Sequence, residues 1–217
     1  MIRGVAQFAI EAESIARRYG RRWALADVSF RLAPGRVMMV AGRNGSGKST
    51  LLRVLATAIR PDRGEARVAG FDVVHEREDV RRMSALLSHY SYLYDALTAK
   101  ENLDVLRNSG QTPALLERVG LAQRAGDPVN TFSAGMRKRL SFARVLLQQP
   151  RIVFFDEPYG QLDPEGFALV DQVIGELKES GATVLVATHQ VEHVTGYADC
   201  SITLEAGRVI ATAGALE

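Results

Sequence analysis

The segment Gly42-Arg43-Asn44-Gly45-Ser46-Gly47-Lys48-Ser49 constrains this chain more than any other. It follows Val37 to Val40, a short apolar run of the kind that forms a buried strand, and precedes Leu51, Leu52, Leu55 and Ile59, which fall on one face of a helix. A strand, a loop with G-x-x-x-x-G-K-[ST] spacing and a helix, in that order, make a phosphate cradle. The glycines let the backbone curl so that successive N–H groups face a phosphate, and the helix beginning near Lys48 adds the positive end of its dipole. Lys48 would neutralise the β- and γ-oxygens of a nucleotide. The Ser49 hydroxyl would ligate Mg²⁺, which prefers hard oxygen donors, and Thr50 continues the motif into the helix. The bland alternative is a glycine-rich turn that binds nothing, and it leaves the spacing of both Lys48 and Ser49 unexplained.

The remaining periodicities predict an α/β protein. Val28, Phe30 and Leu32 alternate with polar residues as a strand does, Pro34-Gly35 makes a turn, and Gly64 to Gly70 is predicted as a strand between turns. The helix after the glycine loop is expected to run up to Pro61. In the middle of the chain the signals become helical. Thr98 to Glu101 forms a capping box, Thr112-Pro113 is predicted as an N-cap followed by proline at the first helical position, and Gly120 closes that helix. From Arg151 the pattern returns to strand (Ile152 to Phe155), helix (Asp163-Pro164 to Gly181), strand (Thr183 to Ala187) and short β segments. Strands alternating with helices predict a mainly parallel sheet. One domain of 217 residues is expected, with an α/β core over 1–88 and 151–217 and a helical insert over 89–150.

Ile152-Val153-Phe154-Phe155-Asp156-Glu157 sets two acids at the carboxyl end of a buried strand, where α/β proteins bind ligands. Beside a phosphate loop, Asp156 is a candidate to hold Mg²⁺ through water. Glu157 is a candidate general base for a water attacking the γ-phosphate. A strand ending in Asp-Glu is by itself commonplace.

Composition narrows the partners. A formal charge of +2 with 24% charged residues is far from the strongly basic balance of a dedicated nucleic-acid binder. The single cysteine, Cys200, allows no internal disulfide and no metal cluster of its own, which fits a reducing compartment. No run approaches the roughly 20 apolar residues of a membrane span. A cytoplasmic address is expected, with any membrane role peripheral.

Phe132-Ser133-Ala134-Gly135-Met136, with Ser133 standing 23 residues before Asp156, opens a helix expected to end near Gln148. Together with the phosphate loop and the Asp-Glu strand end, it resembles the signature of the ABC family of ATPases. The resemblance runs from Tyr19 to the closing β segments and implies the ABC ATPase fold. That fold has a P-loop core with a mainly parallel sheet, an N-terminal antiparallel β part and an inserted helical subdomain. It also implies ATP with Mg²⁺, a second cassette (expected to be an identical copy) and polytopic membrane subunits, with this chain itself peripheral on the inner face of the cell membrane. In that family Ser133, Ala134, Gly135 and Met136 would grip the nucleotide bound to the opposite cassette. Without the other motifs, Ser133 reads as an ordinary N-cap.

His189, 32 residues after Glu157, resembles the family's switch histidine. Gly160 to Asp163 occupies the D-loop, where Asp163 serves either the interface or the cap of the next helix, or both. Tyr19 matches the aromatic that stacks on adenine, with a core tyrosine as the alternative. Two departures stand out. His89 occupies the position where the family carries a glutamine, and Met136 replaces the glutamine that ends the signature. The departure at Met136 implies a weaker dimer or slower turnover. Tyr90, Tyr92 and Tyr94 fall where a membrane subunit would dock, or else pack the insert onto the core. The Arg17-Arg18, Arg21-Arg22 and Arg137-Lys138-Arg139 groups read as solvated faces. Asp127 to Gly135 and Ala187 to Gln190 resemble the ATP-binding subunit of the haem exporter of cytochrome c maturation. The competing functions are a soluble, non-transport ABC-type ATPase and an ATP-binding regulatory cassette.

Overall fold

The computed structural model describes residues 7–88, 92–106 and 110–214. Along the chain the elements are β1 (Ile10–Tyr19), β2 (Arg22–Leu32), β3 (Val37–Ala41), α1 (Lys48–Leu55), β4 (Arg63–Val68), β5 (Phe71–Asp72), α2 (Arg77–Met83) and β6 (Ser84–Leu87). Then come α3 (Ala99–Asp104), α4 (Thr112–Arg118), α5 (Ala134–Gln148), β7 (Ile152–Asp156), α6 (Pro164–Glu179), β8 (Thr183–Ala187), α7 (Val191–Val194), β9 (Cys200–Glu205) and β10 (Arg208–Gly214). They form two compact units, one from 1–88, 151–158 and 177–217, the other from 89–150 and 159–176. The sequence expectation places a helical insert at 89–150, whereas here 159–176 groups with that segment as well. Contacts between the two segments tie them: Arg118 pairs with Glu176, Arg139 with Asp163, and Gln161 O lies close to Gly135.

The first unit holds two sheets. One is antiparallel, in the order β2-β1-β4-β5. The other runs β10-β9-β3-β8-β7-β6, parallel except for β10 on β9. Helix α1 contacts β7 and β8 of the mainly parallel sheet and β2 and β4 of the antiparallel one. Leu51, Leu52, Val54 and Leu55 are fully buried there, with Met38, Val40, Phe154, Leu185 and Ile202 in the same cluster. At roughly 1.5–3 kcal/mol for each fully buried Leu or Val, this packing holds the glycine loop between two rigid layers.

Two boundaries differ from the sequence expectation. Helix α1 stops at Leu55, well before Pro61, in a Schellman cap: the Ala58 N–H donates to Arg53 O at 2.8 Å and the Thr57 N–H to Val54 O at 3.0 Å. The left-handed position is taken by Thr57 (φ 61°) rather than by glycine. Its carbonyl and hydroxyl are bonded by Arg77 and Arg81 of α2, which offsets the strain of a β-branched residue there. Thr112 does not cap α4. It is the first helical residue, and its hydroxyl donates to Asp104 Oδ1 at 2.6 Å. The capping box at Thr98 and Glu101 is present, as is the α5 end at Gln148.

Candidate functional site

The loop from Gly42 to Gly47 leaves the carboxyl end of β3 and turns into α1 along a path that tolerates no side chains at its bends. A Cβ on Gly42 (φ 141°) would lie 2.3 Å from Leu204 O, and one on Gly47 (φ 115°) 2.4 Å from Ala24 O. The Ser46 N–H closes the turn onto Arg43 O, and Ser46 O accepts from the Gly207 N–H. No side chain caps the first turn of α1, so its N–H groups are left for an anion.

Lys48 is buried. Its ammonium donates to Gly42 O at 2.8 Å and Arg43 O at 3.3 Å and lies 3.6 Å from Glu157 Oε1. One residue on, the Ser49 hydroxyl donates to Asp156 Oδ1 at 2.7 Å. Two hard oxygen donors in contact at a strand end and a helix start are a fit for Mg²⁺, which takes only one or two protein oxygens when phosphates and water complete its shell.

Glu157 follows the last residue of β7 in a left-handed conformation (φ 51°), while its N–H still donates to Ala187 O at 2.8 Å, extending the β7–β8 ladder by one rung. An acidic side chain held in this sparsely populated region is aimed by its neighbours. Its Oε2 accepts from the Thr188 hydroxyl at 3.1 Å and lies 2.9 Å from His189 Nδ1. The parallel register of β7 and β8 sets Asp156 opposite Ala187, which is why residues 32 apart in sequence meet here.

An open cleft of about 420 Å³ is lined by Tyr19, Arg22, Ala24, Asn44, Gly45, Gly47, Lys48, Ser49, Thr50 and Glu157. Tyr19, about half exposed, is the last residue of β1 and belongs to this rim rather than to the core, with the Arg17 guanidinium 5.2 Å from its ring centroid. Gly42, Arg43 and Ser46 are not among the residues that line this cleft. Sequence reasoning missed Arg22, Ala24 and Thr188. Arg22 could have been found as the partner of Tyr19 across the Gly20-Arg21 hairpin, and Thr188 as the hydroxyl preceding His189.

The signature and D-loop belong to the second unit. Ser133 is the N-cap of α5, accepting from the Met136 N–H at 3.2 Å. A Cβ on Gly135 would stand 3.1 Å from Gln161 O, so the bare Gly135 lets the D-loop lie close. Asp163 accepts from the Gly166 N–H at 2.8 Å, capping α6, and from Arg139 at 2.9 Å. These bonds, the Gly166 N–H first, hold its carboxyl below the usual range. Asp163 thus caps α6, a role compatible with a carboxylate that also faces an interface. Arg137 and Arg139 are not merely solvated, because each pairs with an aspartate, Asp95 and Asp163. Tyr92 and Tyr94 are exposed, whereas His89 and Tyr90 lie outside the described residues.

A phosphate loop, an acidic strand end and a cleft large enough for a nucleotide define a P-loop nucleotide hydrolase. Residues 25–160 match the ABC transporter family. The daunorubicin resistance ATP-binding protein DrrA3 of Streptomyces coeruleorubidus is 39% identical over 216 residues, 95% of this chain and 68% of its own. The phosphonates import ATP-binding protein PhnC of Frankia casuarinae is 36% identical over 224 residues, 93% of this chain and 88% of its own. A solved ATP-binding subunit of an ABC transporter superposes with a TM-score of 0.87 at 27% identity, covering 95% of this chain and 90% of that one. The chain belongs to the ABC transporter family as an ATP-binding cassette with the ABC ATPase fold, an ATP hydrolase by class. It spans about two thirds of the length of its drug-resistance relatives.

Proposed function

We propose that this chain uses ATP turnover, through paired cassettes, to drive polytopic membrane subunits. The observation that carries the reading is the Lys48–Glu157–His189 constellation beside the Ser49–Asp156 oxygens. In this reading the phosphates take over the Lys48 ammonium from the Gly42 and Arg43 carbonyls. Ser49 directly and Asp156 through water would hold Mg²⁺, which would supply charge neutralisation on the phosphate oxygens. Glu157 accepts the proton of the attacking water, while His189 and Thr188 fix its carboxylate. Ser133 to Met136 and Asp163 act toward the nucleotide of the second cassette, expected to be an identical copy.

Among the described residues no helix is long and apolar enough to cross a membrane, which accords with a peripheral subunit working through separate spanning partners. The exposed Tyr92 and Tyr94 belong to the segment assigned to that contact. Drug-resistance and import names among the relatives support a transporter without fixing direction. The narrower haem-exporter reading rests on Asp127 to Gly135 and Ala187 to Gln190 alone. Mass spectrometry of proteins co-purifying with the chain from gently solubilised membranes tests the proposal. Polytopic membrane proteins are expected, and cytochrome c maturation components would favour haem. Recovery only with soluble assemblies would overturn the transport reading in favour of a non-transport ATPase.

A further inference from the structure

The β1–β2 hairpin turns over two residues, Gly20 and Arg21, so Tyr19 and Arg22 are direct cross-strand partners. Directly opposed residues of an antiparallel pair project from the same face, with Cβ atoms about 5 Å apart. Both side chains line the nucleotide cleft. From this position the Arg22 guanidinium reaches the phosphate loop, its Nη2 standing 3.9 Å from where a Cβ of Gly45 would be. The neighbouring arginines are engaged: Arg17 with Asp62 and the Tyr19 ring, Arg18 with the Trp23 ring. The Arg22 guanidinium is exposed and makes no ion pair or hydrogen bond with another described residue.

We propose that Arg22 is a second cationic contact for the nucleotide's phosphate chain, working from the rim of the cleft opposite Lys48. The proposal rests on the reading of this cleft as the ATP site. Lys48 reaches the phosphates from inside the loop as a buried point charge. Arg22 approaches from the hairpin that carries the Tyr19 platform, and its planar fork suits two phosphate oxygens at once. Tyr19 and Arg22 on one rigid hairpin thus offer a ring for the base and a charge for the phosphates at a fixed separation. This arrangement selects for a nucleoside polyphosphate over either half alone.

The test compares the binding of Mg-ATP and of inorganic tripolyphosphate, each displacing a fluorescent ATP analogue, by the wild-type chain and by Arg22→Ala, Arg22→Lys and Lys48→Ala. The exposed position of Arg22 leaves the core of Arg22→Ala intact. Arg22→Ala is expected to weaken both ligands by about tenfold, the scale of one charge-assisted hydrogen bond. It should also flatten the dependence of affinity on salt, while Arg22→Lys recovers part of the loss. Unchanged ATP affinity in Arg22→Ala overturns the proposal. So does a loss seen with ATP but not with tripolyphosphate, since that pattern belongs to the Tyr19 platform. If Lys48→Ala also binds ATP normally, the cleft itself is misassigned, and the two failures are told apart.

Discussion

Gly47 and Gly135 each stand at the start of a helix assigned to phosphate recognition, one in each unit, and their surroundings differ. At Gly47 the backbone is left-handed and a Cβ would lie 2.4 Å from Ala24 O, a main-chain atom fixed within β2. At Gly135 the backbone is ordinary helix, and the nearest atom, Gln161 O at 3.1 Å, belongs to a loop. The same contrast runs through the two units. Around Gly47 the phosphate loop is held by main-chain bonds and a buried apolar cluster between two sheets. Around Gly135 the signature is held by a serine cap and ion pairs such as Arg137–Asp95 and Arg139–Asp163. One recognition element is locked by sterics and the other is held by polar contacts.

The largest expected effect is at Gly47. Gly47→Ala must distort either the loop or β2, and we expect a loss of about 3 kcal/mol or more in stability together with loss of ATP binding. Gly135→Ala needs a shift of only a few tenths of an ångström and should cost less than about 1 kcal/mol. Thermal unfolding with and without ATP reads both, and equal costs would break the comparison.

An intermediate effect is expected at Asp199, which ties the start of β3 to β9 in the first unit. Its carboxylate accepts from the Val37 N–H at 2.8 Å and from Lys178 at 2.9 Å, with Arg36 nearby. Burial alone would raise its pKa, but these partners outweigh burial and hold it below the ordinary value. A carboxyl whose folded pKa is lowered stabilises the fold above its unfolded value near 4, and that stability is lost as pH falls through the folded value. Asp199→Asn should therefore lose about 2 kcal/mol at neutral pH, with the gap to wild type closing in acid. Denaturation midpoints at several pH values check this, and a gap that persists at low pH would contradict it.

A smaller effect than that at Asp199 is expected in the second unit. Ser133→Ala removes the cap of α5 and should cost about 1 kcal/mol in urea unfolding, since the Met136 N–H can turn to water. A cost as large as that of Gly47→Ala would show that the signature is as rigidly built as the phosphate loop.

The phosphate loop, the Asp156-Glu157 strand end and the limits of α5 were legible because local chemistry decides them: glycines at fixed spacing, a fully apolar strand, a serine before a helix. Other features depended on distant partners. Thr57 ends α1 because Arg77 and Arg81 satisfy its carbonyl and hydroxyl, and nothing near Thr57 in sequence announces those arginines. Thr112 looked like a cap until Asp104 took its hydroxyl. The left-handed backbone at Glu157 is set by its bond to Ala187 O and the anchoring of its carboxylate by Thr188 and His189. Arg22 became a candidate only when the hairpin register paired it with Tyr19.

The central claim is that Glu157 does chemistry on a nucleotide held by the phosphate loop, and Glu157→Gln tests it most directly through ATP affinity and steady-state turnover measured on the same preparation. The account predicts that ATP still binds while turnover falls a hundredfold or more, the scale of a lost general base. Turnover equal to wild type in a clean preparation would remove Glu157 from that role.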